Sequence, residues 1–153
     1  MGEDAVVIGV GNPDRGDDGA GILVLAQLEG RLPAGVRLVR LSGADPGQII
    51  EAWAGADRVF LVDAMVSGAA AGTLRRFDAV AEPLPAGVSL ASTHALGAGA
   101  AIEMARVLGR LPQTLTVYAI EGATFSVGVP MGGAVAAAAA EVAGRILEEV
   151  QRA

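Results

Sequence analysis

Short apolar runs alternate with longer Ala- and Leu-rich segments along this chain, and that alternation constrains its fold more than any other feature. Ala5–Val10 is apolar apart from one glycine and ends in Gly11-Asn12-Pro13, the pattern of a strand buried on both faces. Val36–Leu41 reads as a second strand, Val59–Val62 as a third that ends at Asp63, and Leu115–Ile120 as the last clear one. Between them, Gly21–Leu32 places Ile22, Leu25, Ala26 and Leu28 near one helical face, and Pro33 stops it. Gln48–Trp53 reads as a short helix. Ser92 or Thr93 is expected to cap a helix running to about Leu108, with Gly109 and Pro112 as stop signals, and a final helix spans about 132–151. Thr73–Phe77 carries Arg75-Arg76 and suits an edge strand with one wet face. Strands alternating with helices imply βαβ units. The expected architecture is an α/β three-layer α/β/α sandwich, a mainly parallel twisted sheet of about five strands with helices on both faces. With 153 residues, positions 1–153 are expected to form one domain, because two would each have a thin core.

Composition narrows the function. All eleven basic residues are arginine against seventeen acidic ones, and the net charge of -6 argues against a nucleic-acid partner, which needs clustered positive charge. The chain has no cysteine, which removes disulfides, zinc–thiolate sites and cysteine nucleophiles together. Met1-Gly2-Glu3-Asp4 is acidic and leads straight into an apolar strand, unlike a signal peptide. No apolar run approaches the roughly 20 residues of a membrane span. A cytoplasmic location without a membrane partner is the expectation.

In open parallel sheets, ligands bind beyond the carboxyl ends of the strands. That rim collects the loop holding Asp14, Asp17 and Asp18, then Asp63, His94 and Glu121. Each has a plainer explanation. An Asp before a helix usually caps free N–H groups, Asp63 could receive turn N–H groups, a lone histidine is more often packed than ligating, and Glu121 suits a solvated or paired role. Two adjacent aspartates cannot both cap in the same way, however, so one of Asp17 and Asp18 has a carboxylate to spare. Taken together, two carboxylates and the sole histidine on one rim supply oxygen and nitrogen donors suited to an exchangeable divalent ion. A helix start at His94 would favour the neutral imidazole that binds metal.

Other chemistries fail on the same residues. Gly9-Val10-Gly11 has Asp14 where a dinucleotide fingerprint needs its third glycine, and the loop's carboxylates would repel a pyrophosphate. Without lysine there is no phosphate-binding P-loop, and no Gly-x-Ser-x-Gly nucleophile elbow occurs. No nucleotide cofactor is expected.

The segment Gly9-Val10-Gly11-Asn12-Pro13-Asp14-Arg15-Gly16-Asp17-Asp18-Gly19 resembles the opening signature of the endopeptidases that mature nickel–iron hydrogenases. Leu61-Val62-Asp63-Ala64, Ser92-Thr93-His94 with the helix through Leu108-Gly109-Arg110-Leu111-Pro112, and Tyr118-Ala119-Ile120-Glu121-Gly122-Ala123 match its later blocks in order. The resemblance implies a five-stranded twisted sheet between helices. It also implies an aspartic-type, metal-dependent endopeptidase that removes the C-terminal extension of a hydrogenase large-subunit precursor after nickel insertion. The family's metal-contacting, catalytic positions fall on Asp18, Asp63 and His94, and the nickel is chiefly the precursor's own, used for recognition. Several relatives carry an Asp-Gly-Gly-Thr-like turn after the second strand. This chain has Ser42-Gly43-Ala44-Asp45 there, so Asp45 is the carboxylate that turn could offer.

Two rival readings stand beside this one. An unrelated metal-dependent amidase or peptidase would act on small peptides without a precursor protein. A non-enzymatic ligand-binding module would use the acidic rim only as caps.

Overall fold

The computed structural model describes residues 5–43, 45–91 and 97–152. In chain order they form β1 (Ala5–Val10), a 3-10 turn (Gly16–Gly19), α1 (Ala20–Leu28), β2 (Val36–Leu41), α2 (Pro46–Trp53) and β3 (Arg58–Val66). β4 (Leu74–Asp78), β5 (Ser89–Leu90), α3 (Ala98–Leu108), β6 (Thr114–Glu121) and α4 (Gly133–Gln151) follow. The main sheet has the order β2-β1-β3-β6-β4, with β5 added to β3. β2, β1, β3 and β6 are parallel, while β4 runs antiparallel to β6 at the edge, where the arginine-bearing segment was expected.

β3 is buried from Val59 to Met65, and its side chains alternate between the two faces of the sheet. Val59, Leu61 and Met65 pack with Ile49, Ile50 and Trp53 of α2 and Ala101, Ile102 and Ala105 of α3. Phe60 and Val62 pack on the other face with Val24, Leu25 and Leu28 of α1 and Val135, Ala139, Val142 and Ile146 of α4. This is the expected α/β/α sandwich. Period two along β3 places Asp63 on the α2–α3 face.

Several expectations need correction. β3 runs on to Val66 instead of ending at Asp63, because β6 stays paired with it as far as Met65↔Glu121 and β5 joins its other edge at Met65↔Leu90. Asp63 therefore lies inside a strand. The helix expected over Gly21–Leu32 begins with a 3-10 turn at Gly16 and stops at Leu28, with Gly30 at positive φ just beyond. α3 starts at Ala98 and not at Ser92 or Thr93, because Gly97 before it is non-helical at φ -103°, ψ -139°. His94 therefore precedes the first residue of α3 by four positions, and the dipole argument made for its imidazole does not carry over to that helix. Ser92, Thr93 and His94 themselves lie outside the described residues. α3 ends as expected at Gly109, left-handed at φ +69°, with the N–H of Arg110 returning to the Ala105 carbonyl.

The far end of the molecule is held by a charged cluster. Arg76 of β4 grips the Glu149 carboxylate of α4 through Nε at 3.0 Å and Nη2 at 2.7 Å, and the Tyr118 hydroxyl donates to the same carboxylate. Among the described residues, no helix is long and apolar enough to cross a membrane.

Candidate functional site

β1 leads through α1 to β2 on one side, and the chain then crosses back through α2 to β3 on the other. The crossovers diverge between β1 and β3, so the carboxyl ends of these two strands flank an open crevice. β1 stops pairing with β3 at Gly9↔Val62. Asp63 is the next residue of β3, at the point where that edge becomes free. Two residues on, the same edge is taken up by β5.

The Gly-rich opening is what lets the first loop fold onto this crevice. Gly11 has φ +143°, and a Cβ there would lie 1.9 Å from the carbonyl oxygen of Asp18. A Cβ on Gly21 would lie 2.4 Å from the Val62 carbonyl oxygen. The start of α1 thus rests directly on the backbone of β3, with no side chain between. The 3-10 turn carrying Asp17 and Asp18 also packs against β3.

The two aspartates divide as their adjacency requires, though neither caps the helix that follows. Asp17 is spent on structure. Its Oδ2 accepts the N–H groups of Ala123 at 2.8 Å and Thr124 at 3.1 Å, and its Oδ1 accepts that of Gly132 at 2.9 Å. Burial pushes this carboxyl up, but the backbone donors outweigh it and leave the pKa below its ordinary value. Asp18 is equally buried, and only its Oδ2 is engaged, by the N–H of Asn12 at 3.1 Å. Its Oδ1 is buried without a hydrogen-bond partner among the described residues. Burial raises its pKa, opposed in part by the Asn12 N–H and the charge of Arg15. Asp63 is fully buried, and its Oδ1 accepts the N–H of Ala64 at 2.8 Å.

Asp18 lines a cleft of about 460 Å³ together with Arg15, Val66, Ser89, Leu90, Ala91 and Phe125. A larger cavity, about 590 Å³, lies at the amino ends of the parallel strands between Ala5, Val36, Arg58 and Thr114. It is at the wrong end of the sheet for the chemistry that strand ends and helix starts support. Among the described residues, no three His, Asp or Glu side chains group as a metal site. Two of the expected set, Asp18 and Asp63, lie at the same end of the sheet, and the third, His94, is outside the described residues.

The carboxylates of Glu121 and Asp45 have structural partners. Glu121 is buried and accepts the N–H of Ser67 through both oxygens and its hydroxyl at 2.6 Å, tying the end of β6 to the turn after β3. Asp45 forms a capping box with Gln48, its Oδ1 accepting the Gln48 N–H at 2.8 Å while the Gln48 Oε1 accepts the Asp45 N–H at 2.9 Å. The carboxylate of the departing turn is thus a helix cap. Asp14 is exposed, and its N–H closes an Asx turn onto Asn12. Arg15 and Phe125 are cleft residues that the sequence did not single out. No periodicity marks either one, and the only signal for Arg15 is its place between Asn12 and the aspartate pair.

Comparison with known proteins agrees with this fold. The family model described as hydrogenase maturation protease (HycI) matches residues 25–149. The chain belongs to the hydrogenase maturation protease family. Membership makes it a peptidase by class. The matched span contains Asp63 and His94, while the opening block with Asp18 lies before it. The hydrogenase-maturating endopeptidase HybD from E. coli has a similar structure, with a TM-score of 0.78 at 22% identity over 97% of this chain and 92% of that one. The [NiFe] hydrogenase maturation protease HybD from Thermococcus kodakarensis gives 0.72 at 22% identity over 96% and 98%. HycI from Thermococcus kodakarensis KOD1, also a [NiFe] hydrogenase maturation protease, gives 0.71 at 23% over 98% and 94%. At these identities the structures establish a shared fold. No curated protein sequence matches the chain significantly.

Proposed function

We propose that this protease removes the C-terminal extension of a nickel–iron hydrogenase large-subunit precursor once nickel is in place, and that Asp18, Asp63 and His94 contact that nickel. The ion is part of the incoming substrate. The observation that carries the reading is the Asp18 carboxylate, buried at the crevice between β1 and β3 with Oδ1 unspent among the described residues. A buried carboxylate oxygen without a donor is costly, and a divalent cation delivered by a partner would repay the cost. The raised pKa has the same origin. Asp63 supplies a second buried carboxylate from the strand that borders the crevice.

Support for His94 comes from the path of the chain. Ala91, three residues before it, donates its N–H to the Ala64 carbonyl at 2.8 Å, next to Asp63. Three extended residues reach about 10 Å.

Peptide hydrolysis would here be carboxylate- and metal-assisted. The residues of this chain hold the loaded precursor so that the scissile bond sits beside the ion, and orientation supplies much of the rate. An empty precursor would leave the buried Asp18 oxygen without a cation and bind poorly, so that only loaded substrate would be recognised. The test is incubation with a large-subunit precursor, with and without nickel, read by mass shift. The wild-type protein cleaves only the loaded form. Asp18→Asn keeps its fold and loses at least 100-fold in rate, on the order of what one positioning or activating group contributes. Processing by that variant at the wild-type rate would remove Asp18 from the mechanism.

A further inference from the structure

The wall of the cleft opposite β5 carries a guanidinium that the proposed reaction has not yet used. Arg15 Nε donates to the Phe125 carbonyl at 3.0 Å, which fixes the plane of the group against the loop after β6. Among the described residues its two terminal nitrogens have no acceptor and no carboxylate lies within ion-pair distance. Arg15 lines the same cleft as Asp18, whose carboxyl its positive charge draws down. A half-buried guanidinium held at one edge is an oxygen-seeking fork, and a planar pair of N–H donors fits a carboxylate or a peptide carbonyl.

The other wall fits a polypeptide. The carbonyl of Met65 is taken by the Gly122 N–H on the β6 side, and the Ala91 N–H goes to Ala64. Met65↔Leu90 is therefore a non-hydrogen-bonded pair of the ladder, and the N–H and carbonyl of Leu90 point to the side of β5 away from β3. Apolar Val66 and Phe125 complete the surface. One wall is a strand edge, and the other is a cation.

We propose that this cleft takes the precursor as an extended segment running along the outer edge of β5, with Arg15 donating to an oxygen of that segment beside the cleavage point. Arg15 is thereby a specificity-determining residue. It acts on the peptide and not on the metal. This rests on the precursor-processing reading above.

The experiment compares wild type, Arg15→Lys and Arg15→Met on nickel-loaded precursor, with kcat and KM separated, alongside nickel binding and thermal unfolding of each protein. Arg15→Met is expected to raise KM about 10- to 100-fold, with nickel affinity equal or higher because a cation beside Asp18 is gone, and with only the small fall in unfolding temperature that one lost hydrogen bond brings, while Arg15→Lys recovers part of the KM loss. Precursors with each acidic side chain near the cleavage point changed to its amide identify the oxygen. If one such precursor loses its sensitivity to Arg15→Met, the contact is that carboxylate; if all keep it, the contact is a main-chain carbonyl. Unchanged KM in Arg15→Met, or a KM change matched by lost nickel affinity and stability, would overturn the assignment. Failure of the wild-type protein to cleave any loaded precursor would instead remove the functional reading beneath it.

Discussion

Asp17 and Asp18 are neighbours in sequence, both buried, and opposite in energetic sign. Asp17 has a folded-state pKa below its ordinary 3.8, so its contribution to stability is present above that value and is lost as pH falls through the depressed one. Asp18 has a raised pKa, so ionising it in the folded protein costs stability. That cost is absent below the unfolded value, grows as pH rises through the window between the two, and is full above the raised value. At neutral pH, Asp17→Ala should therefore destabilise the protein by about 3 kcal/mol, because three backbone donors lose their acceptor. Asp18→Asn should leave stability equal or higher while abolishing processing. Urea unfolding of the two variants at pH 4 and pH 7 checks both signs, and equal destabilisation by both would contradict the division of roles. Two adjacent aspartates pointed to one surplus carboxylate, but the cap expected of the other is absent, and Asp17 holds the loop after β6 instead. Which of the two was surplus came from the family resemblance, and the partners of Asp17 lie more than a hundred residues away, beyond the reach of local rules.

At the scale of elements, the site depends on how closely α1 approaches the sheet. Gly21 presses its backbone onto the Val62 carbonyl one residue before Asp63, and a methyl group there has nowhere to go. Gly21→Ala should lift the start of α1, cost about 3 kcal/mol, and lower processing at temperatures where the variant is still folded. Gly109→Ala is the contrast. Its φ of +69° is strained for alanine, but nothing lies within 4 Å, so it should cost only about 1 kcal/mol and spare activity. Thermal unfolding with parallel assays separates them, and a Gly21→Ala protein as stable and active as wild type would contradict the close-contact account. Strand positions were readable because runs buried on both faces are apolar throughout. The extension of β3 past Asp63 was not, since a carboxylate looks like a terminator until β5 and β6 are seen holding both edges of the strand. β5 itself has two residues, too few for any periodic signal. The start of α3 was misplaced because Ser92 and Thr93 carry a capping pattern, while the non-helical backbone of Gly97 is a matter of conformation rather than composition.

For the whole molecule, the strand order places the divergence of crossovers between β1 and β3, and this makes one end of the sheet the working end. Most of the buried core serves to hold two carboxylates at that end: α2 and α3 cover the face on which Asp63 lies, and α1 and α4 lock the opposite face and anchor the loop that Asp17 ties down. Asp17, Glu121 and Asp45 are spent on backbone donors and would not compete for an ion. The central claim is that Asp18, Asp63 and His94 meet at a single divalent cation. His94 is the only histidine in the sequence, which makes a direct measurement available. Proton NMR of the protein with excess Co²⁺ should show one hyperfine-shifted, solvent-exchangeable imidazole N–H resonance, absent in His94→Ala and lost in Asp18→Asn and Asp63→Asn. Cobalt bound with no shifted imidazole proton, or a shifted proton that survives both aspartate substitutions, would contradict the account.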